Sequence, residues 1–419
     1  MSRAYLTYAR SVQSGVLEPA SVDRDIKRTR PLRPADALLA LVERDDPRAA
    51  LRSLPPQTAE YTRLMRARLM LDHAIAGGGW PAPVRARRLD PGDTGPAVIA
   101  LRDRLVAMGY LDPHLGTAYD GRMSAAVRDF QADHGLLSDG IAGPSTLQAL
   151  NVSPQERLQA VLVAMERERW LNLPEGRGDR HVLVNLVDFH AQIVDHDKVT
   201  FRTKSVIGHR ASDRQSPEFS DVMEHMVINP YWHVPRSIII GEYLPQLQAN
   251  PTAVGHLDLL DSRGNVVGRG MDFSQFDART FPFAMRQRPG PRNALGSVKF
   301  MFPNRHNIYL HDTPHQSLFS REMRTFSHGC IRLDEPHDFA YALLAPQVDD
   351  PVPYFQRILR TGARTQVDLE TQVPVHLIYR TAFTRAKGKI QFRPDAYGRD
   401  ARIWAALSRE GVALRRADG

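Results

Sequence analysis

At 419 residues, with 42% hydrophobic and 24% charged residues, the chain has the composition of a soluble globular protein of two or three domains. Its net charge of +8 permits attraction to a polyanion, but there is no Lys/Arg block, zinc-finger spacing or aromatic–basic RNA signature, so nucleic acid is not the expected partner; another anionic polymer fits the charge equally well. No run of roughly 18 apolar residues occurs, and Met1–Val22 contains no charged-then-apolar leader, which taken alone reads as a cytoplasmic protein with no transmembrane segment.

Residues 1–88 read as a helical scaffold, with apolar residues at helical spacing in Ala35–Val42 and Tyr61–Ile75 and a stop at Gly77-Gly78-Gly79. Residues 89–151 read as a compact unit of three helices. Leu89–Pro96 is a turn-rich entry, Val98–Met108 is a helix stopped by Gly109, and Ser124–His134 is a helix stopped by Gly135. Asp139-Gly140 and Gly143-Pro144 then lead into a third helix through Leu147, and Phe130 is expected in the core of the unit. Residues 152–180 return as helix to the scaffold.

At His181 the character changes to short β-branched runs. Strands are expected within 181–194, at 198–207, 222–228, 298–302, 308–310, 375–379 and 389–392, with Lys387-Gly388 as a turn. Residues 181–380 therefore read as a mostly β, barrel- or sandwich-like domain, residues 381–419 as a C-terminal extension, and the whole as an α+β multidomain protein. Residues 236–288 interrupt the strands and are expected to be an ordered subdomain or lid.

Cys330 is the one cysteine, so it has no internal disulfide partner. It is a buried small hydrophobe, an intermolecular bridge or a reactive thiol. The flanking Ser327-His328-Gly329 and Arg332 favour the reactive thiol, with a lowered pKa. Upstream, Asn307–Leu310 reads as a strand that exits at His311-Asp312-Thr313-Pro314, a setting suited to a base that serves a nucleophile on the returning loop. Papain-like enzymes place cysteine first, and caspases carry a Gln-Ala-Cys motif; neither pattern is present.

Ile308–Pro314 followed by Ser327-His328-Gly329-Cys330-Ile331-Arg332 resembles the active-site signature of the L,D-transpeptidases with a YkuD-type catalytic domain. Pro289–Phe300, Asn229–Pro235 and Tyr397-Gly398-Arg399-Asp400 resemble the large, YcbB-like branch of that family, and residues 89–151 look like a three-helix peptidoglycan-binding module. The resemblance implies a mostly β catalytic domain, a substrate-capping subdomain at 236–288, export to the periplasm with the leader or anchor removed from this chain, and no cofactor or metal. It implies that Cys330 forms a thioester with a peptidoglycan stem peptide, cut after meso-diaminopimelate at stem position three, that an amine of another stem accepts the acyl group, and that carbapenem-type inhibitors acylate the cysteine.

In that scheme His311 is the base, oriented by the backbone carbonyl of Asp312, with the Asp312 side chain as the competing partner. Gly329 and Cys330 N–H groups are the oxyanion donors. His328 is a structural or substrate contact or a second base, and Arg332 either binds a substrate carboxylate or braces the loop. Tyr309 and Trp232 line the pocket or belong to the core, and Ser327 and Asn293 complete the expected substrate contacts. Resolution of the thioester by water instead of an amine would make a cysteine-dependent hydrolase, and a silent site would leave a wall-binding scaffold.

Overall fold

The alternating runs that begin at Arg180 build the centre of the molecule. In the computed structural model, which describes residues 2–43, 46–211, 213–386 and 388–414, nine strands form one sheet. Their order is 325–327, 198–208, 331–333, 310–311, 298–301, 219–228, 365–378, 180–185 and 190–195. The last strand also pairs antiparallel with 198–208, so the sheet closes on itself as a barrel. Val182 and Val184 of the strand 180–185 point inward with Phe300, Leu310, Ile331 and Leu377, giving one apolar core.

Two helices absent from the sequence reading complete this domain. Pro336–Leu344 and Pro351–Arg360 each start on a proline, whose missing N–H costs nothing in the first turn. The first drives Phe339, Ala340, Leu343 and Leu344 into the barrel core, with the Phe339 ring 4.8 Å from and edge-on to Phe300. The fold is thus mixed α+β, with a large sheet and a helical N-terminal region.

In the N-terminal region, Ala59–Ala76 is capped by the Thr58 hydroxyl, and Pro154–Trp170 by a reciprocal Ser153–Glu156 capping box. The two helices pack through Tyr61, Leu64, Leu71 and Ile75 against Leu158, Val161 and Met165. Between them the chain makes an excursion through three helices, Pro96–Ala107, Gly121–His134 and Pro144–Leu150. Their shared core holds Phe130, which is fully buried, and the Gln131 amide ties Asp139, Gly140, Ile141 and Thr146 together. Of the strand expected at 389–392, Gln391–Phe392 pairs with Ala382–Phe383 in a ribbon separate from the large sheet, where Phe392 packs on His134 of the three-helix unit and Gln391 bonds Asp133. Lys387 of the expected turn lies outside the described residues.

Residues 236–288 fold as an ordered subdomain. Trp232–His233, Ala284–Gln287 and Asp258–Leu260 form a three-stranded sheet, covered by a helical segment from Arg236 to Ala249 that widens to π geometry at Ile239–Tyr243. Its own core contains Leu244, Leu247, Phe273, Phe281 and Met285.

A buried ionic network joins helix 154–170 to the barrel and the C-terminal helix Arg399–Arg409. Arg167 donates to Asp400 at 2.9 and 3.0 Å and pairs with Glu218, while Arg399 donates to Glu218 at 3.2 Å and to the Ser216 carbonyl at 2.9 Å. Removing one partner of such a network leaves the others charged and out of water, at a cost of about 3–5 kcal/mol. Arg167→Ala should therefore lower the thermal midpoint by many degrees in a calorimetric scan, and a midpoint unchanged within a degree would show that the network is not what joins the three elements.

Candidate active site

Three adjacent strands present the site. Lys299 is directly opposite His311, and His311 is directly opposite Arg332, so the three side chains share one face of the sheet. Cys330 precedes Arg332 by two residues and opens onto the same cavity, of about 690 Å³, whose walls include Trp232, Tyr309, Ser327 and His328. Among the described residues, no group of three His, Cys, Asp or Glu side chains converges as metal ligands.

The His311 ring is oriented by backbone. Its Nδ1 lies 2.5 Å from the Asp312 carbonyl, which can only accept, so Nδ1 carries the proton and Nε2 is the basic nitrogen. The Asp312 carboxylate is committed elsewhere: it accepts from Ser297 N and Oγ at 2.8 and 2.7 Å and from Thr313 N at 2.6 Å. That choice fixes the loop before Lys299. Gly296 adopts φ +61°, and a Cβ there would stand 2.3 Å from the Asp312 carboxylate, so only glycine fits. Burial, reinforced by Arg332 and Lys299, takes His311 down to about 3, so the imidazole is neutral at physiological pH.

Cys330 is partly buried, with Sγ 3.5 Å from the Asn307 carbonyl. Here the expected low thiol pKa is corrected. Burial pushes the thiol up to about 11, outweighing hydrogen bonds from the backbone and side chain of Tyr309 and the charges of Arg332 and Lys299. The resting pair is therefore thiol and neutral imidazole. Its alkylation by iodoacetamide should be slower at pH 7 than that of a free thiol and should gain about tenfold per pH unit, because the thiolate fraction limits the rate. A rate already level below pH 8 would mean that a thiolate is present at rest.

The other expected residues divide into those that face the cavity and those that hold the turn. Ser327 is buried; its Oγ donates to the Cys330 carbonyl at 2.5 Å and accepts from Gly329 N at 3.1 Å. The Gly329 N–H is thus already used inside the turn, which corrects its expected part as an oxyanion donor. The Gly329 carbonyl accepts from Ser216 Oγ at 2.6 Å. Asn293, expected to touch substrate, is 1% exposed and spends its amide on the Pro230 and Arg288 carbonyls and Leu295 N. It braces the loop, and its neighbours Ala294 and Leu295 face the cavity instead. Trp232 lines the cavity from the subsidiary sheet, edge-on to Tyr243.

His328 bonds a residue that sequence reasoning passed over. Its Nε2 lies 2.7 Å from Glu242 Oε1 in the π-helical turn of the 236–288 subdomain, and Arg214 joins the same oxygen at 3.2 Å. A carboxylate on a helix 86 positions away gives no local signal in the sequence. Glu242→Gln should loosen this clasp and raise amide exchange across residues 236–288 without raising it in the barrel strands; equal exchange in both proteins would remove the clasp from the account.

Known proteins bear on the site as follows. Residues 179–353 match the family described as "L,D-transpeptidase catalytic domain", residues 94–150 that described as "Putative peptidoglycan binding domain", and residues 1–67 a "Scaffold domain". A "Putative L,D-transpeptidase" of Haemophilus influenzae is 30% identical over 244 residues, which is 58% of this chain and 48% of the relative. The chain thus spans about half the length of the curated relative it matches. Among solved structures, an L,D-transpeptidase from Xylanimonas cellulosilytica aligns over 71% of this chain and 100% of its own at 17% identity and TM-score 0.19. One from Stackebrandtia nassauensis aligns over 71% and 97% at 13% identity and TM-score 0.24. Part of the chain, residues 179–353, is thus similar to YkuD-type L,D-transpeptidase catalytic domains, and residues 94–150 are similar to peptidoglycan-binding modules.

Proposed function

We propose that this protein cross-links peptidoglycan stem peptides through a thioester on Cys330. His311 Nε2 takes the thiol proton as sulfur attacks the carbonyl of the donor's third residue. The C–S bond forms, the C–N bond breaks, and the proton passes to the departing amine. The amine of a second stem then attacks the thioester, gives its proton to His311, and sulfur leaves. The observation that supports this most is the fixed tautomer of His311: a neutral imidazole held by the Asp312 carbonyl, in one cavity with the chain's single cysteine. Because the resting thiol is protonated, deprotonation belongs to the acylation step and the base is essential there.

The carbonyl oxygen of the tetrahedral intermediate is assigned to the N–H of Cys330 itself, with Tyr309 lining the same wall. His328 acts through Glu242 to hold the 236–288 subdomain over the donor, which positions the stem and keeps water from the thioester. The three-helix unit holds glycan, carbapenem-type inhibitors acylate Cys330, and the place of work is the periplasm. No helix among the described residues is long and apolar enough to cross a membrane.

Intact-mass analysis with a disaccharide-tetrapeptide tests the reaction. A cross-linked dimer is expected, with His311→Ala losing the acyl-enzyme by at least 100-fold and His328→Ala retaining part of it. A shortened stem with no dimer would make the enzyme a hydrolase, and full acylation of the His311 variant would move the base elsewhere.

A further inference from the structure

Lys299 and Arg332 flank His311 on successive strands and line the same cavity. Among the described residues neither has a carboxylate partner. Lys299 lies over the Tyr309 ring at 5.5 Å, and the one nearby group that favours its charged form is Cys330, while Arg364 opposes it. Arg332 likewise has only Cys330 acting in its favour, and its Nε is buried with no hydrogen-bond partner. Burial lowers the pKa of both side chains.

Cations withdrawn from water are costly unless satisfied, and buried arginines elsewhere are: Arg167, Arg393 and Arg399 meet carboxylates, and Arg104, Arg157 and Arg324 donate to backbone carbonyls. Among the described residues that line this cavity, no carboxylate is present to serve either cation. A guanidinium offers a planar fork to a carboxylate and an ammonium adds a point charge, so together they fit one carboxylate between them. Arg332, in the strand Ile331–Leu333, follows Cys330 by two residues, so their Cα atoms are at most about 7 Å apart and a carboxylate held there lies within one residue of the carbonyl on sulfur.

We infer that Lys299 and Arg332 form a carboxylate-recognition subsite that selects acyl donors bearing a free carboxylate within one residue of the attacked carbonyl. The inference rests on Cys330 being the nucleophile. Two groups supply this chemistry: the terminal carboxylate of the leaving residue, and a side-chain carboxylate on the residue that is attacked.

Three synthetic tetrapeptide donors separate them, one with both carboxylates free, one amidated at the C-terminus and one amidated on the side chain of its third residue. Acylation of Cys330 is followed by intact mass in the full chain, for the wild type, Arg332→Gln and Lys299→Met, with Arg332→Lys as the conservative variant. The wild type should lose roughly 10- to 100-fold in kcat/KM, mostly in KM, with the amide that removes the recognised carboxylate. Each neutral variant should show that loss with the free donor and little further loss with that amide, and Arg332→Lys should recover part of it. The amide that responds names the source.

Equal wild-type rates on all three donors would overturn the subsite while leaving the nucleophile in place. So would an equal loss by the variants on every donor, since a residue that only tunes the thiol or supports the fold behaves that way. Wild type that no donor acylates would overturn the nucleophile itself, and the subsite with it.

Discussion

The turn that carries Cys330 hangs from a buried charge. Arg399 reaches from the C-terminal helix to Glu218 and to the carbonyl of Ser216; Ser216 in turn donates to the carbonyl of Gly329. Tyr397 adds a bond from its hydroxyl to the Gly208 carbonyl at 2.6 Å, where the strand beside the turn ends. The same Glu218 meets Arg167 from the scaffold helix. One carboxylate thus receives a cation from each of two helices distant in sequence, and the turn that carries Cys330 is the third party. Placing such groups out of water is tolerable only if every one finds its partner, so the shape of the turn depends on scaffold, barrel and C-terminal helix being docked together.

Burial sets the chemistry as well as the fold. The same withdrawal from water that holds His311 neutral also holds Cys330 protonated. A preformed thiolate–imidazolium pair is thereby disfavoured at rest, although two cations stand near the sulfur. In the proposed reaction, proton transfer therefore belongs to the attack itself, with the imidazole already oriented.

What was legible in the sequence is what depends on near neighbours. Ser327–Arg332 and the strand exit at His311 carry their own signals, and Phe130 and Gln131 stand out by spacing within one helical unit. Lys299 also lay in plain view, within a strand, but its importance comes from standing opposite His311, and register between strands 298–301 and 310–311 is a property of the folded sheet. For Asp312 the sequence left two candidate groups, the backbone carbonyl first and the side chain as its competitor; the carboxylate turns to Ser297, and the carbonyl meets the His311 ring. The strand Thr365–Ile378 was legible only at its end, because its first half faces solvent with alternate residues, contains a register shift and is followed by Pro374. Asn293 looked like a ligand contact since polar residues in loops often are, and only its burial reveals a brace.

The three-helix unit leaves and re-enters the scaffold at almost the same point. Helices 59–76 and 154–170 pack side by side, and a Cβ on Gly79 would stand 3.8 Å from the Pro154 ring. A short connection could span that gap with little closure entropy, so the chain junction itself does not dictate what lies between. What seats the unit is its contact with the ribbon: Arg393 donates to the Asp133 carbonyl at 2.8 Å, and Lys389 lies over Tyr110. The unit is thus docked by residues 389–393, far along the chain from either of its ends, so a change there would unseat it without touching the unit itself.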